Sequence, residues 1–449
     1  MTDNLDDLRS IEGFPKGKDE DLLALSNPPS YTAYPNPHIE EFIRQYGTSY
    51  DEATDDYHRE PFVSDVSEGK NDPIYNAHSY HTKVPYKAIA AFIEHYTNRG
   101  DIVYDGFCGT GMTGVAAQSV GRRVILNDLS PVASFIASNY NTPVDSKLVE
   151  KEAKRILSEI EKECGWMYQT KHKDGRVGRI NFTVWSDMFK CPYCDIDINF
   201  WDVAVHDGEV ADEFYCPNCN ARLTKKSLVR AKSVVYDIIT KRNIETICQV
   251  PVLINYTIDK KRFEKRPDKF DLDIIDSIFK KEIPYLFPSN RMPEGDESRR
   301  NDPIGYTHVH HFYTKRSLWV TAALWSKARQ VEDTRLRNHL IFWLQSVTVG
   351  FSKLNRYLKN AFSQVNRMLS GTLYIGSTTS EVSPWYSLTG KISKISKAAT
   401  FALKDYSRVY SGSSTNTPIP ANSIDYIFTD PPFGGNLMYS ELNFIWESW

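Results

Sequence analysis

Asp101-Ile102-Val103-Tyr104-Asp105-Gly106-Phe107-Cys108-Gly109-Thr110-Gly111 is the stretch that decides how this 449-residue chain folds. An apolar run of strand character enters a turn with two closely spaced glycines, and Met112-Thr113-Gly114-Val115-Ala116-Ala117 then begins a helix. Gly109 and Gly111 let the backbone turn sharply and approach a ligand, while the first N–H groups of the helix are free to receive a carboxylate. A second strand, Arg123-Val124-Ile125-Leu126-Asn127-Asp128, ends in an acid 23 positions after Asp105. That is close to the ~20-residue offset at which a carboxylate meets ribose hydroxyls in a doubly wound sheet. Ser130-Pro131 opens the next helix. The pattern D-x-F-x-G-x-G differs from G-x-G-x-x-G, which disfavours pyrophosphate binding of the dehydrogenase kind. The expected fold class is α/β with a doubly wound sheet.

Working outward, Thr429-Asp430-Pro431-Pro432-Phe433 directly follows another apolar run, Ile424-Asp425-Tyr426-Ile427-Phe428. Two prolines fix φ and bias each preceding residue toward an extended backbone, so Asp430 and the carbonyls beside it are held as rigid acceptors at a strand's C-terminal edge. Phe433 adds a flat apolar face. An exocyclic NH2 that donates to the Asp430 carboxylate and the Pro431 carbonyl, its ring stacked on Phe433, has its nitrogen lone pair drawn out of the ring and aimed at an electrophile. Asp-Pro-Pro is also an ordinary turn; the glycine motif upstream favours the chemical reading.

Together, Asp105-Gly106-Phe107-Cys108-Gly109-Thr110-Gly111 and Asp430-Pro431-Pro432-Phe433 resemble the cofactor-binding and catalytic motifs of the DNA amino-methyltransferases, which act on adenine N6 or cytosine N4. His78-Ser79-Tyr80-His81-Thr82-Lys83-Val84-Pro85 resembles the segment that precedes the glycine motif in that family and closes over the cofactor. The resemblance implies a Rossmann-like methyltransferase sheet and S-adenosyl-L-methionine as cofactor. Asp105, Phe107, Gly109 and Gly111 would seat its methionine end, Asp128 its ribose, with Tyr80 and Thr82 closing over it. Relatives often carry an Asp after the strand Ser407-Arg408-Val409-Tyr410 to touch the adenine. This chain offers Ser413 and Ser414 there, and Ser413 is the candidate contact. Asp430, Pro431, Pro432 and Phe433 would be catalytic, and double-stranded DNA the substrate, its base flipped out of the duplex. D-P-P-F with the recognition region inserted tilts toward adenine N6. Rival readings are a cytosine-N4 DNA enzyme, a methyltransferase of RNA or of a protein side-chain amide, and a nucleic-acid-binding module without activity.

Cys191-Pro192-Tyr193-Cys194 and Cys216-Pro217-Asn218-Cys219 are separated by 21 residues, the spacing of a zinc ribbon spanning about residues 188–224. Four thiolates complete a tetrahedron around Zn(II) and leave no open position, so the expected metal, held by Cys191, Cys194, Cys216 and Cys219, is structural. His308, His310 and His311 have no cysteine or carboxylate at ligand spacing and read as packing or substrate-loop residues. Lys225, Lys226, Arg230, Lys232 and the run Lys260-Lys261-Arg262 suit phosphate contact or a solvated face equally. The aromatics between Ser317 and Ser352 read as helix core.

Residues 1–75 carry 17 acidic and 6 basic side chains, a charge of −11 that leaves +8 on the remainder of a chain whose net charge is −3. A mildly basic body is compatible with nucleic acid. The expected organisation is an acidic, partly disordered leader (1–75), a cofactor-binding half (76–150), an insertion with the ribbon and a target-recognition region (151–400), and a catalytic half (401–449). Seven cysteines, four of them in C-x2-C pairs, and the lack of an apolar run near ~20 residues predict a cytoplasmic protein with no membrane segment. Only the short run Gly434 to Trp449 follows Phe433, so the sheet is expected to be incomplete at the C-terminus: a fragment, an enzyme completed by a second polypeptide, or a decayed product.

Overall fold

The computed structural model describes residue 31 and residues 36–63, 71–432 and 434–449; most of the expected leader and Phe433 lie outside them. The chain divides into two compact units. The first holds the residues up to Ala153, Val331–Ser346 and Lys391–Asn443; the second holds Lys154–Gln330, Val347–Gly390 and Phe444–Trp449.

The first unit is built on four parallel strands. Helices α1 (Pro37–Tyr46) and α2 (Tyr86–Tyr96) precede β1 (Ile102–Asp105), α3 (Met112–Ser119), β2 (Arg123–Asp128) and α4 (Pro131–Asn141); β3 (Ser407–Ser411) and β4 (Tyr426–Ile427) follow far downstream. The strand order is β3-β2-β1-β4, every pair parallel. β1 thus lies between the strand that follows it next in the chain and the last strand of the sheet, so the order reverses at this point. A crevice outside the carboxyl ends of such strands is where open α/β sheets bind ligands.

Alternation along the strands explains how both faces are covered. Ile102, Ile125 and Tyr410 share one face, and Ile39, Phe42 and Ile43 of α1 pack on it. Leu126 points to the other face, where Gly114 of α3 sits so close that a β-carbon there would meet Leu126 Cδ1 at 2.7 Å. α1 lies within residues 1–75, expected from the sequence only as an acidic, partly disordered leader. Pro37 at its first position, the Asn36 side chain accepting the His38 amide, and apolar residues at 39, 42 and 43 make it a capped amphipathic helix.

Residues 331–346, expected within the insertion, belong to this first unit. Phe342 stacks on His78 and meets Tyr140 edge-on, and Arg335 donates to the Asn139 side chain and the Pro143 carbonyl.

The second unit is organised on the long strand Val177–Lys190 in a seven-stranded sheet, with Gln249–Ile258 and Thr378–Val382 among its antiparallel partners. Its buried polar centre is Glu381, which takes a two-pronged contact from Arg316 at 2.7 and 2.8 Å and the Trp185 indole N–H at 2.7 Å. Removing one partner of such a fully buried pair typically costs ~3–5 kcal/mol. No helix among the described residues is long and apolar enough to cross a membrane.

Candidate functional site

β1 and β4 pair through Val103 with Tyr426 and Tyr104 with Ile427, and the Phe428 amide donates to the Tyr104 carbonyl at 3.0 Å. This register delivers Asp105 and Thr429 to the same edge, where the Thr429 hydroxyl helps favour the Asp105 anion. The glycine turn and Asp430-Pro431-Pro432, far apart in sequence, therefore leave neighbouring strands side by side.

Asp105 is only 3% exposed. One carboxylate oxygen accepts the Thr113 hydroxyl at 2.6 Å and the other the Phe107 amide at 3.0 Å. Burial disfavours the anion more than these donors favour it, and the pKa rises from 3.8 to about 6. Gly109 (φ 50°) and Gly111 (φ 74°) occupy left-handed conformations. At Gly111 a β-carbon would also lie 2.8 Å from the Ala137 backbone of α4, so glycine is needed there for conformation and for helix packing. Asp128 closes the turn from the side: its carboxylate accepts the amides of Gly109 (2.8 Å) and Ser130 (2.9 Å), and burial raises its pKa. Cys108 is buried within the turn, and burial pushes its thiol up. Phe107 is 41% exposed above the turn.

The segment around Tyr80 meets the same turn. The Tyr80 ring lies 3.8 Å from where a Gly109 β-carbon would sit. Asn443 donates to both the Tyr80 hydroxyl and the Ser130 hydroxyl at 3.1 Å, and Thr82 bonds the Tyr439 hydroxyl at 2.9 Å. Of the two serines after β3, Ser414 rather than Ser413 reaches the motif. Its hydroxyl donates to the Gly106 carbonyl and accepts from Asn127 at 3.0 Å, whereas Ser413 is exposed and bonded to Thr415. Asn127 Oδ1, beside this contact, is buried without a hydrogen-bond partner among the described residues. Asp430, Pro431 and Pro432 are exposed. Thr113, Asn127, Thr429 and Asn443 were not singled out as site residues from the sequence, although Asn127 and Thr429 adjoin residues that were; Ser414 was offered there beside Ser413, and Ser413 was preferred.

Two clusters of potential metal ligands lie in the second unit. The sulfurs of Cys191 and Cys219, and of Cys194 and Cys216, are 3.7 Å apart, and all four lie within 4.8 Å of one another. A tetrahedron with ~2.3 Å Zn–S bonds places its sulfurs about 3.8 Å apart, so the four residues fit that ion. The two pairs have the same local geometry. The Asp195 amide donates to Cys191 O and the Asn220 amide to Cys216 O, each at 3.0 Å, with φ of 57° and 56° at the turn residue. Phe189, Ile198, Phe200, Phe214 and Leu223 form a small core beneath them.

In the other cluster, His310 and His311 each place Nε2 3.1 Å from the same Asp237 oxygen, which also accepts the Thr240 hydroxyl at 2.7 Å. A carboxylate is therefore present, 73 residues from His310 in sequence. His311 Nδ1 accepts the amides of Thr307 and His308, so Nε2 carries the proton and donates to Asp237. Burial would raise the Asp237 pKa, but donors from His310, Thr240 and His311 carry it well below the usual carboxylate range. The arrangement is a hydrogen-bonded clamp.

In comparison with known proteins, residues 9–138 match a family model described as DNA methylase. The match contains the glycine turn and Asp128 and ends within α4, short of the second unit and of Asp430. No curated protein and no solved structure matches the chain.

Proposed function

We propose that this chain is an S-adenosyl-L-methionine-dependent DNA methyltransferase of Rossmann-like fold, acting on adenine N6. The observation that carries the reading is the pairing of β1 with β4, which sets the Asp105–Gly111 turn beside Thr429–Pro432; the similarity of residues 9–138 to DNA methylases points the same way. The residues present suit the cofactor: a buried carboxylate for its ammonium group, a left-handed glycine turn for close approach, Asp128 at the rim, and the orphaned Asn127 Oδ1 as an acceptor. When bound, S-adenosylmethionine supplies an electrophilic methyl group.

The chain's own part is to position and polarise. Asp430 and the Pro431 carbonyl accept the two N–H bonds of the target amine, and the lone pair is turned toward the cofactor side of the crevice. No covalent bond to the protein is required. Phe433, outside the described residues, would stack on the flipped base. The same arrangement serves any exocyclic amine, so cytosine N4 is the alternative acceptor. Zn(II) on the four cysteines would be structural, and a thiol-ligated metal with a DNA substrate fits a cytoplasmic protein.

The test is calorimetric titration of the full chain with S-adenosylmethionine, with Asp105→Ala as control, followed by transfer of labelled methyl groups to duplex DNA and to RNA. Binding lost in the control and label entering adenine of the duplex are expected. Binding that survives the substitution, or label confined to RNA, overturns the reading.

A further inference from the structure

The second unit contains a cavity of about 630 Å³, in the size range of small-ligand sites, whose lining is strongly basic. Lys225, Arg356, Lys359 and Arg367 face it, against a single carboxylate, Glu209. None of the four cations forms an ion pair with a carboxylate among the described residues. Arg356 donates through Nε to the Arg367 carbonyl at 3.3 Å, and Arg367 Nε is buried with no hydrogen-bond partner among the described residues. The four cations outnumber the one carboxylate that lines the cavity with them, and an anion entering it would offset that excess positive charge.

The remaining walls select what kind of anion. Tyr357 and Tyr374 line the cavity, and Tyr357 is fixed by an edge-on contact with Trp201 at 5.3 Å between centroids. Lys225 lies over the ring of Phe200, which also lines the cavity and belongs to the core under the cysteine cluster. Guanidinium forks match phosphate oxygens, and tyrosine rings offer a stacking face to a base.

We infer that this cavity seats a nucleotide of the nucleic-acid substrate, its phosphate on Arg356 and Arg367 and its ring against the tyrosines. The methyltransferase reading contributes only the identification of that polymer as DNA.

The experiment measures binding of a fluorescently labelled ~20-bp duplex to the full chain by anisotropy across a salt series, for the wild type, for Arg356→Gln/Arg367→Gln and for the exposed single variant Lys359→Gln. Each phosphate contact contributes close to one to the slope of log K against log salt. The double variant, which loses the one phosphate shared by Arg356 and Arg367, should bind at least about tenfold more weakly with a slope reduced by roughly 1, and Lys359→Gln should reduce it by less than that. S-adenosylmethionine titration of the same samples should be unchanged. Unchanged affinity and slope in both variants overturn the cavity assignment, even where the wild type binds cofactor and methylates DNA. Weakened duplex binding in a chain that takes no cofactor leaves the cavity standing and sinks the methyltransferase reading. Free dAMP and inorganic phosphate serve as competitors: displacement of the duplex at equimolar dAMP would assign the cavity to a free nucleotide and overturn the polymer.

Discussion

Two segments leave the same edge of the parallel sheet under opposite regimes. The turn after β1 is fixed from every side, with Asp105 holding Thr113 and Phe107, Asp128 holding Gly109 and Ser130, and Ser414 holding Gly106. Asp430-Pro431-Pro432 after β4 is exposed and owes its stiffness to proline rings. The difference separates two ways of organising a site. One half is set by buried hydrogen bonds that also hold up the fold, so altering it moves stability and binding together. The other is set covalently, so chemistry there can change while the fold does not.

Asp430→Ala is the hardest test of that contrast. Methyl transfer to duplex DNA should fall by about 10³-fold, from loss of both orientation and polarisation of the amine, while the stability measured by thermal unfolding stays within ~0.5 kcal/mol. A comparable loss of stability would show that the exposed segment supports the fold after all.

Asp105→Asn probes the opposite half. In the folded chain this carboxyl titrates at about 6 rather than 3.8, so its contribution favours the fold below pH 3.8 and is lost as pH rises through 6. Asparagine removes the buried charge, and the variant should be more stable than the wild type at pH 8, by an amount on the order of 3 kcal/mol at most, with the difference fading toward pH 4. Cofactor affinity should behave in the reverse sense. An ammonium group needs the anion, so wild-type binding weakens as pH falls through 6, and the variant binds weakly at every pH. Unfolding and calorimetry at pH 5 and 8 measure both, and equal stability of the two chains at pH 8 would remove Asp105 from the argument.

The smallest effect distinguishes adjacent hydroxyls. Ser414→Ala should cost ~1 kcal/mol through the lost contact with Gly106 and Asn127, whereas Ser413→Ala should be neutral within ~0.5 kcal/mol. The reverse order would mean that Ser413 is the residue anchored to the motif.

What could be read from the residues was local. The first strand, its glycine turn and the acid closing the second strand are each specified within a few residues. The choice between Ser413 and Ser414 was not legible, because it depends on the register of β3 against β2. Neither was the partner of His310 and His311, since the carboxylate that orients them comes from a distant hairpin. Helix α1 had its signal in the spacing of Ile39, Phe42 and Ile43, but acidic composition and neighbouring prolines argued for a leader. Composition averages over a window; three well-placed apolar residues on a capped helix suffice to bind a sheet face.

Strand β3 reaches Asp128 across a separation of 283 residues. At ribosomal rates of ~5–20 residues per second, roughly 15 to 60 s pass between the synthesis of β2 and the arrival of its neighbour. Throughout that interval β2 has an open edge, with Ile125 and Leu126 awaiting their final surroundings.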